Sequence, residues 1–255
     1  MCFGVIGMEA HDHLSALDDS KTSWTLKVRV TRIWQTRYGN GFVDRHNLIL
    51  LDCLDNQILA IVNPDLWQRF SNVLMEGRIY TIVNVLVRNA TVDFRPVPNS
   101  KMILLTNFTS ITPHVHDTGM IARHKFNYKT LQELDYLVGR DGQENYHALS
   151  VDVIGLLENL QPLERVQGKE SLIDVVKFRI SDGSILRNVY KWGPMIEELN
   201  QVINGVVERP VVVVLAGFKV SRDIDGNARL SSMESSRIYV NLNHQDVFSF
   251  RNRHN

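Results

Sequence analysis

Little in this chain is suited to covalent or metal chemistry. Only two of its 255 residues are cysteine, Cys2 and Cys53. They lie far apart and belong to no CxxC or CxxH spacing, which argues against a disulfide framework and against a structural zinc site. No apolar run reaches the ~18 residues that a membrane-spanning helix needs. The longest, VVVVLAGF from Val211 and KMILLTNF from Lys101, have the length of strands. The N-terminal stretch MCFGVIGMEAHDHLS has no basic residue ahead of its short apolar part and no room for the core of an export signal, so a reducing intracellular compartment is expected. Net charge is absent as well. Lys and Arg number 28 and so do Asp and Glu, whereas proteins that contact phosphates are usually basic. The signatures GxSxG, HExxH and the P-loop are missing, so neither catalysis nor a cofactor is expected.

What the chain does have is a hydrophobic content of 44%, enough for a packed core, and an uneven distribution of charge. Trp24 to Val115 holds ten basic against six acidic residues, and Ser150 onward holds 13 of each. The first barrel-sized segment is therefore the basic one.

Alternation gives the secondary structure. In WTLKVRVTRIW, Trp24, Leu26, Val28 and Val30 share one face and Thr25, Lys27, Arg29 and Thr31 the other, the period of a half-buried strand with a cationic outer side. A Gly-rich connection through Gly39-Asn40-Gly41 leads to NLILLDCLDNQILAIVN, two strands turning at Asp55-Asn56. Pro64 opens PDLWQRFSNVLMEG, with apolar residues at helical spacing and Gly77 as a stop. RIYTIVNVLV and DFRPVPNSKMILLTNFTSI add two more strands. Three strands, a helix and two strands in about 90 residues is the order of the five-stranded OB barrel.

The second half repeats that order. SVDVIGLLENL is a strand, SLIDVVKFRISDGSILRNVYKW a hairpin turning at Asp182-Gly183, and PMIEELNQVI a helix from Pro194, followed by RPVVVVLAGFKVS and ARLSSMESSRIYVNL as closing strands. The sequence thus predicts an all-β chain of two five-stranded OB-fold Greek-key barrels in tandem, each with a short helix between strands 3 and 4. The expected divisions are 1–23, mostly unstructured; 24–115, first barrel; 116–149, linker; and 150–255, second barrel. Within the linker, Thr130 three residues before Glu133 is a capping-box signature for a short helix, while Thr112 to Lys125 reads as looser chain. His114 and His116 form an HxH pair there, which without further ligands reads as solvated loop and not as a metal site.

These motifs resemble a family, the large (70 kDa) subunit of replication protein A, and in particular its plant-type members. LSALDDSKTSWTLKVRVTRIW, ILLDCLDNQILAIV, GRIYTIVNVLV and FRPVPNSKMILLTNFTSI follow the family's first DNA-binding OB domain. SVDVIGLL, the hairpin ending Lys191-Trp192-Gly193, and SRIYVNLN followed by FRNR follow the second. The resemblance implies binding of single-stranded DNA with little sequence preference in replication, repair and recombination, and residence in the nucleus. It stops before the zinc-bearing third OB domain through which the family's subunits assemble, so partner subunits are not expected to join these residues.

An OB groove holds a strand by stacking bases on aromatic faces and by cations along the phosphates. The resemblance assigns stacking to Phe94 in the first barrel and Trp192 in the second. Asn63 stands where the family has its other first-barrel aromatic, and Ile224 lies nearest the second barrel's other one. Arg29, Arg37, Arg45, Arg88, Arg95 and Lys101 are the cations expected to track phosphates. Alternation groups Trp192 with Asn188 and Tyr190 on one face of their strand and puts Arg187 and Lys191 on the other with Ile185 and Val189, and it does not say which face is the groove. The DNA strand is expected to rest mainly on the basic first barrel. Two further readings stay open: a paralogue whose barrels form a protein-interaction surface, favoured by the missing aromatics and the neutral second barrel, and a preference for single-stranded RNA.

Overall fold

The computed structural model describes residues 11–90, 95–138, 150–168, 172–193, 202–203, 205–206 and 208–254. Their contacts divide them into two compact units, 11–90 with 97–125 and 95–96 with 126–254. Each is an OB fold.

In the first unit the strands are β1 (Thr25–Arg37), β2 (Val43–Leu51), β3 (Gln57–Val62), β4 (Ile79–Val83), β5 (Leu86–Asn89), β6 (Lys101–Leu104) and β7 (Ser110–Pro113), with helix α1 (Pro64–Phe70) between β3 and β4. They form one curled sheet in the order β5-β6-β3-β2-β1-β4-β7. Because β4 and β5 follow each other with only Asn84 and Val85 between them, the two ends of the sheet are brought round by one stretch of chain. β3 and β6 run parallel, with Ala60 opposite Ile103. The expected inward set is the core: Trp24, Leu26, Val28 and Val30 pack with Ile58, Ala60, Val62, Tyr80, Ile82 and Ile103. Fully burying such side chains stabilises by about 1.5–3 kcal/mol each.

The N-terminal segment from His11 is not loose. Leu14 and Leu17 are buried in this core, Leu14 N donates to Asp52 Oδ2 (2.9 Å), and Asp12 exchanges bonds with Thr25 through backbone N and side-chain carboxylate. Two apolar residues spaced by three suffice to pin the segment.

The second unit contains β8 (Val151–Glu158), β9 (Glu164–Gln167), β10 (Leu172–Ser181), β11 (Leu186–Trp192), β12 (Val212–Arg222), β13 (Ala228–Ser231) and β14 (Arg237–Val240), with α2 (Glu133–Leu137) before them and α3 (Gln245–Arg253) after. Pairings run β8–β10–β11–β13–β12 and back to β8, a closed five-stranded barrel. The close passage of β8 over β10 needs Gly155, where a Cβ would meet Ile180 Cβ and Ser181 O at 3.1 Å. The Asp182-Gly183 turn forms as expected, with Gly183 at φ +90° and Asp182 Oδ1 accepting from Ser184 N and Ile185 N. The expected helix from Pro194 falls largely on residues 194–201, outside the described residues.

The run beginning at Val211 is buried on both faces because α3 covers the outside: Val212 and Val214 pack with Val247 and Phe250, while Val211, Val213 and Leu215 face the core. Continuous apolar sequence is the signature of such double burial. On α2, Thr130 and Glu133 form the predicted capping box. Glu133 N donates to Thr130 Oγ1 (3.2 Å) and Thr130 N to Glu133 Oε2 (2.7 Å).

Candidate nucleic-acid interface

Opposed residues on paired strands share a face, so the register fixes what each barrel presents outside its core. In the second barrel Val189 lies in the core, which puts Asn188, Tyr190 and Trp192 outward. Opposite Tyr190 stand Lys177 on β10 and Ser231 on β13, and opposite Asn188 stands Arg179. On β12, Lys219 stands opposite Ser231, and Ser221 opposite Arg229 of β13. One face therefore gathers two aromatic rings and four cations. The Tyr190 and Trp192 rings meet edge to face, centroids 6.0 Å apart. The Arg229 guanidinium lies 4.9 Å from the Tyr190 ring centroid, a cation–π contact, and Lys177 Nζ lies 5.8 Å from it. Lys177 is held by Glu164 (2.6 Å), and that hydrogen bond raises its pKa, keeping it charged. Trp192 is fixed at its backbone, where N donates to Ser232 Oγ (2.9 Å).

Lys191 is on the other side. Its register partner is the core residue Val176, its Nζ donates to Trp192 O, and burial, then the nearby Arg237 charge, lowers its pKa. A half-buried ammonium on the core side is a poor phosphate contact, so Lys191 leaves the candidate set and Tyr190 stays in it.

The equivalent face of the first barrel is built from Leu59 and Ile61 on β3, Asn47 and Ile49 on β2, Met102 and Leu104 on β6, and Leu86 and Arg88 on β5. Ile49 is fully buried and Asn47 nearly so, while Ile61, Met102, Leu59 and Leu104 pack into a cluster of their own with Ala90. Asn63 is exposed at the end of β3, where it precedes α1 without capping it. Arg88 is exposed, and Lys101 donates to Asn89 Oδ1 (2.9 Å). Phe94 lies outside the described residues. Arg95 is half-buried in the second unit, its carbonyl accepting from Ser150 N (3.0 Å).

Arg29 does not track phosphates. It is 2% exposed, and its guanidinium donates to Gly77 O, Ile121 O, Ala122 O and Asp117 Oδ2 at 2.6–2.9 Å. Strand alternation placed it outside the barrel core correctly, but the chain after β7 folds back over that side. For the same reason residues 114–125 are anchored: Ile121 is buried with Leu51 and Ile79, and His114 bonds Thr81 Oγ1 (2.8 Å). The described residues contain no cluster of three or more His, Cys, Asp or Glu able to hold a metal.

Arg37 and Arg45 flank the β1–β2 hairpin tip, where Arg37 also bonds Gly41 O and Gln35 Oε1 and Arg45 lies 3.5 Å from Asp44. Between them Tyr38 and Phe42 are 58% and 72% exposed. Neither ring is among the sites expected from the sequence, although two aromatics around Gly39-Asn40-Gly41 in a hairpin tip have no core to enter. Lys177, Arg179, Lys219 and Arg229 are not among them either. Each alternates with a core residue, Phe178, Phe218 or Leu230, which was a usable signal; that three strands bring them round the same two rings was not.

Residues 15–138 match the family model described as DUF223, a domain of unknown function. A 70 kDa DNA-binding subunit of replication protein A from Oryza sativa subsp. japonica is 26% identical over 93% of this chain and 36% of its own length. A counterpart from Arabidopsis thaliana is 25% identical over 89% and 26% respectively. The chain is similar to the large subunit of replication protein A. It spans about a third of the length of these curated relatives. A solved replication protein A heterotrimer bound to ssDNA matches 95% of this chain and 54% of its own chain, with a TM-score of 0.64 at 23% identity. That match carries the fold of both units. No helix among the described residues is long and apolar enough to cross a membrane.

Proposed function

We propose that this chain binds single-stranded DNA in the manner of a replication protein A large subunit, with little sequence preference and without catalysis, and that it works in the nucleus in replication, repair and recombination. The observation that carries this reading is the outward face of β10, β11, β13 and β12, with Tyr190 and Trp192 ringed by Lys177, Arg179, Lys219 and Arg229. Outward-facing rings offer bases a stacking surface worth ~1–3 kcal/mol per base, blind to sequence because every base has a π-face, and the surrounding cations neutralise phosphates with a release of counterions that salt reverses. The similarity to 70 kDa DNA-binding subunits over nine-tenths of the chain supports the same reading. Arg37 and Arg45 with the exposed Tyr38 and Phe42 at the β1–β2 tip, and Arg88 and Lys101, supply the first barrel's share.

Fluorescence anisotropy of labelled oligo-dT and of its duplex at two salt concentrations tests this. Tight, salt-sensitive binding of the single strand and weaker binding of the duplex are expected, with a loss of about tenfold or more in Trp192→Ala and a further loss in Phe94→Ala. No binding of the single strand at low salt would refute the reading and favour a protein-interaction module; preference for oligo-U over oligo-dT would redirect it to RNA.

A further inference from the structure

Two buried arginines hold the connector between the barrels, one from each side. Arg29 on β1 uses Nε, Nη1 and Nη2 on Ala122 O, Gly77 O, Ile121 O and the Asp117 carboxylate. Arg187 on β11, 8% exposed, donates from Nε to Leu131 O (3.1 Å) and pairs through Nη2 with Asp135. The chemistry is the same in both. A planar guanidinium presents five donors in a fixed fork, which satisfies the carbonyls of a chain segment that has little regular structure to do so, and one aspartate offsets the buried charge. Neighbouring contacts extend each grip. Gln57 Nε2 donates to Lys125 O (3.3 Å) on the first side. On the second, Asp152 accepts from Asn127 N through Oδ2 (2.8 Å) and from Lys129 N through its backbone carbonyl, while Leu131 and Leu134 enter the core. The two units accordingly change over between Lys125 and Phe126, with the connector on either side bonded to its own barrel.

We propose that Arg29 and Arg187 are positioning residues that keep the tether between the barrels short, so that a DNA strand captured by one barrel meets the other at high effective concentration. The inference rests on the strand-binding reading above. Effective concentration falls as roughly the −3/2 power of tether length once the tether exceeds the span it must cover. Freeing either half of the connector therefore weakens binding of a strand that occupies both barrels and leaves alone a strand that occupies one.

The test compares a roughly 8-nucleotide with a roughly 24-nucleotide oligo-dT, lengths chosen because an OB fold covers about 4–16 nucleotides. Arg29→Met and Arg187→Met are each expected to weaken binding of the long oligonucleotide by about tenfold with the short one unchanged, and Arg29→Met to speed tryptic cleavage after Arg123 and Lys125. A flexible Gly-Ser segment inserted after Lys125, with both arginines in place, should reproduce the change in the long-to-short ratio; it keeps the test open should an arginine variant fail to fold. A parallel loss for both lengths in the arginine variants would mean that the arginines merely support their barrels and would overturn the proposal, as would an insertion that leaves the ratio at its wild-type value. A wild-type chain that binds neither oligonucleotide would instead remove the strand-binding reading, and this inference with it.

Discussion

The two barrels share a topology and differ in what they set on the same face. Where the second has Asn188, Tyr190, Arg229 and Lys177, the register of the first puts Leu59, Ile61, Met102 and Asn47. The first barrel is nonetheless the one with the excess of basic residues in its sequence. Several of its cations are engaged elsewhere. Arg29 and Arg32 are buried, and Arg69 ties α1 to the carbonyls of Asn107 and Thr109. The second barrel, neutral overall, places some of its acids away from that face, where Asp182 braces a turn and Asp152 holds the connector, although Glu164 pairs with Lys177 on it. Segment charge sets the far field, but contact with a ligand depends on which side of a strand each charge takes.

That contrast can be broken most directly by charge reversal. Lys219→Glu with Arg229→Glu is expected to weaken oligo-dT binding by about tenfold or more and to flatten its dependence on log salt by roughly 1.4 units, about 0.7 for each phosphate left without its cation. Arg88→Glu with Lys101→Glu in the first barrel should do less on both counts. Anisotropy titrations across a salt series measure both, and the reverse ranking would show that the first barrel carries the strand. A smaller, opposite change would sharpen the comparison: Asn63→Phe, introduced beside Trp192→Ala so that the second barrel does not mask it, restores a ring at the end of β3 and should recover about fivefold in affinity, the low end of a stacked base.

The smallest expected effect concerns His46. Its ring stacks on Trp67 with centroids 4.0 Å apart, and burial, then the Arg37 charge, lowers its pKa from the ordinary 6.5. The folded barrel thus favours the neutral imidazole. The stability this site contributes is full above pH 6.5 and is lost as pH falls through the ordinary value toward the lowered one. Thermal melts of wild type should drop between about pH 7 and pH 5 more steeply than those of His46→Phe, which keeps the stack without the titrating group. Identical slopes would show that His46 does not sense this range.

Strand alternation and turn residues made both barrels legible in the sequence, down to the Thr130–Glu133 capping box and the left-handed Gly183. The stacking role proposed for Trp192 rests on resemblance, and its outward face was settled only by the placement of Val189 in the core. Helix α3 does not show in the sequence because only two of its apolar residues, Val247 and Phe250, are buried, and only the doubly buried β12 gives them something to cover. Alternation set Arg29 outside the barrel interior and says nothing of a connector that covers that outside, whereas it grouped Lys191 with Val189 and left open which of the two faces was the core until Val189 was placed there.

By itself, then, the sequence determined the local periodicities, the turns and hence two OB barrels in series, since each of these depends on neighbours within a few residues. Only the tertiary structure decided which cations remain available to a ligand. Lys177, Tyr190, Lys219 and Arg229 come from four different strands, and the pairing that brings them together is fixed by cross-strand register, whereas the burial of Arg29 depends on chain that returns from nearly a hundred residues away to satisfy its guanidinium.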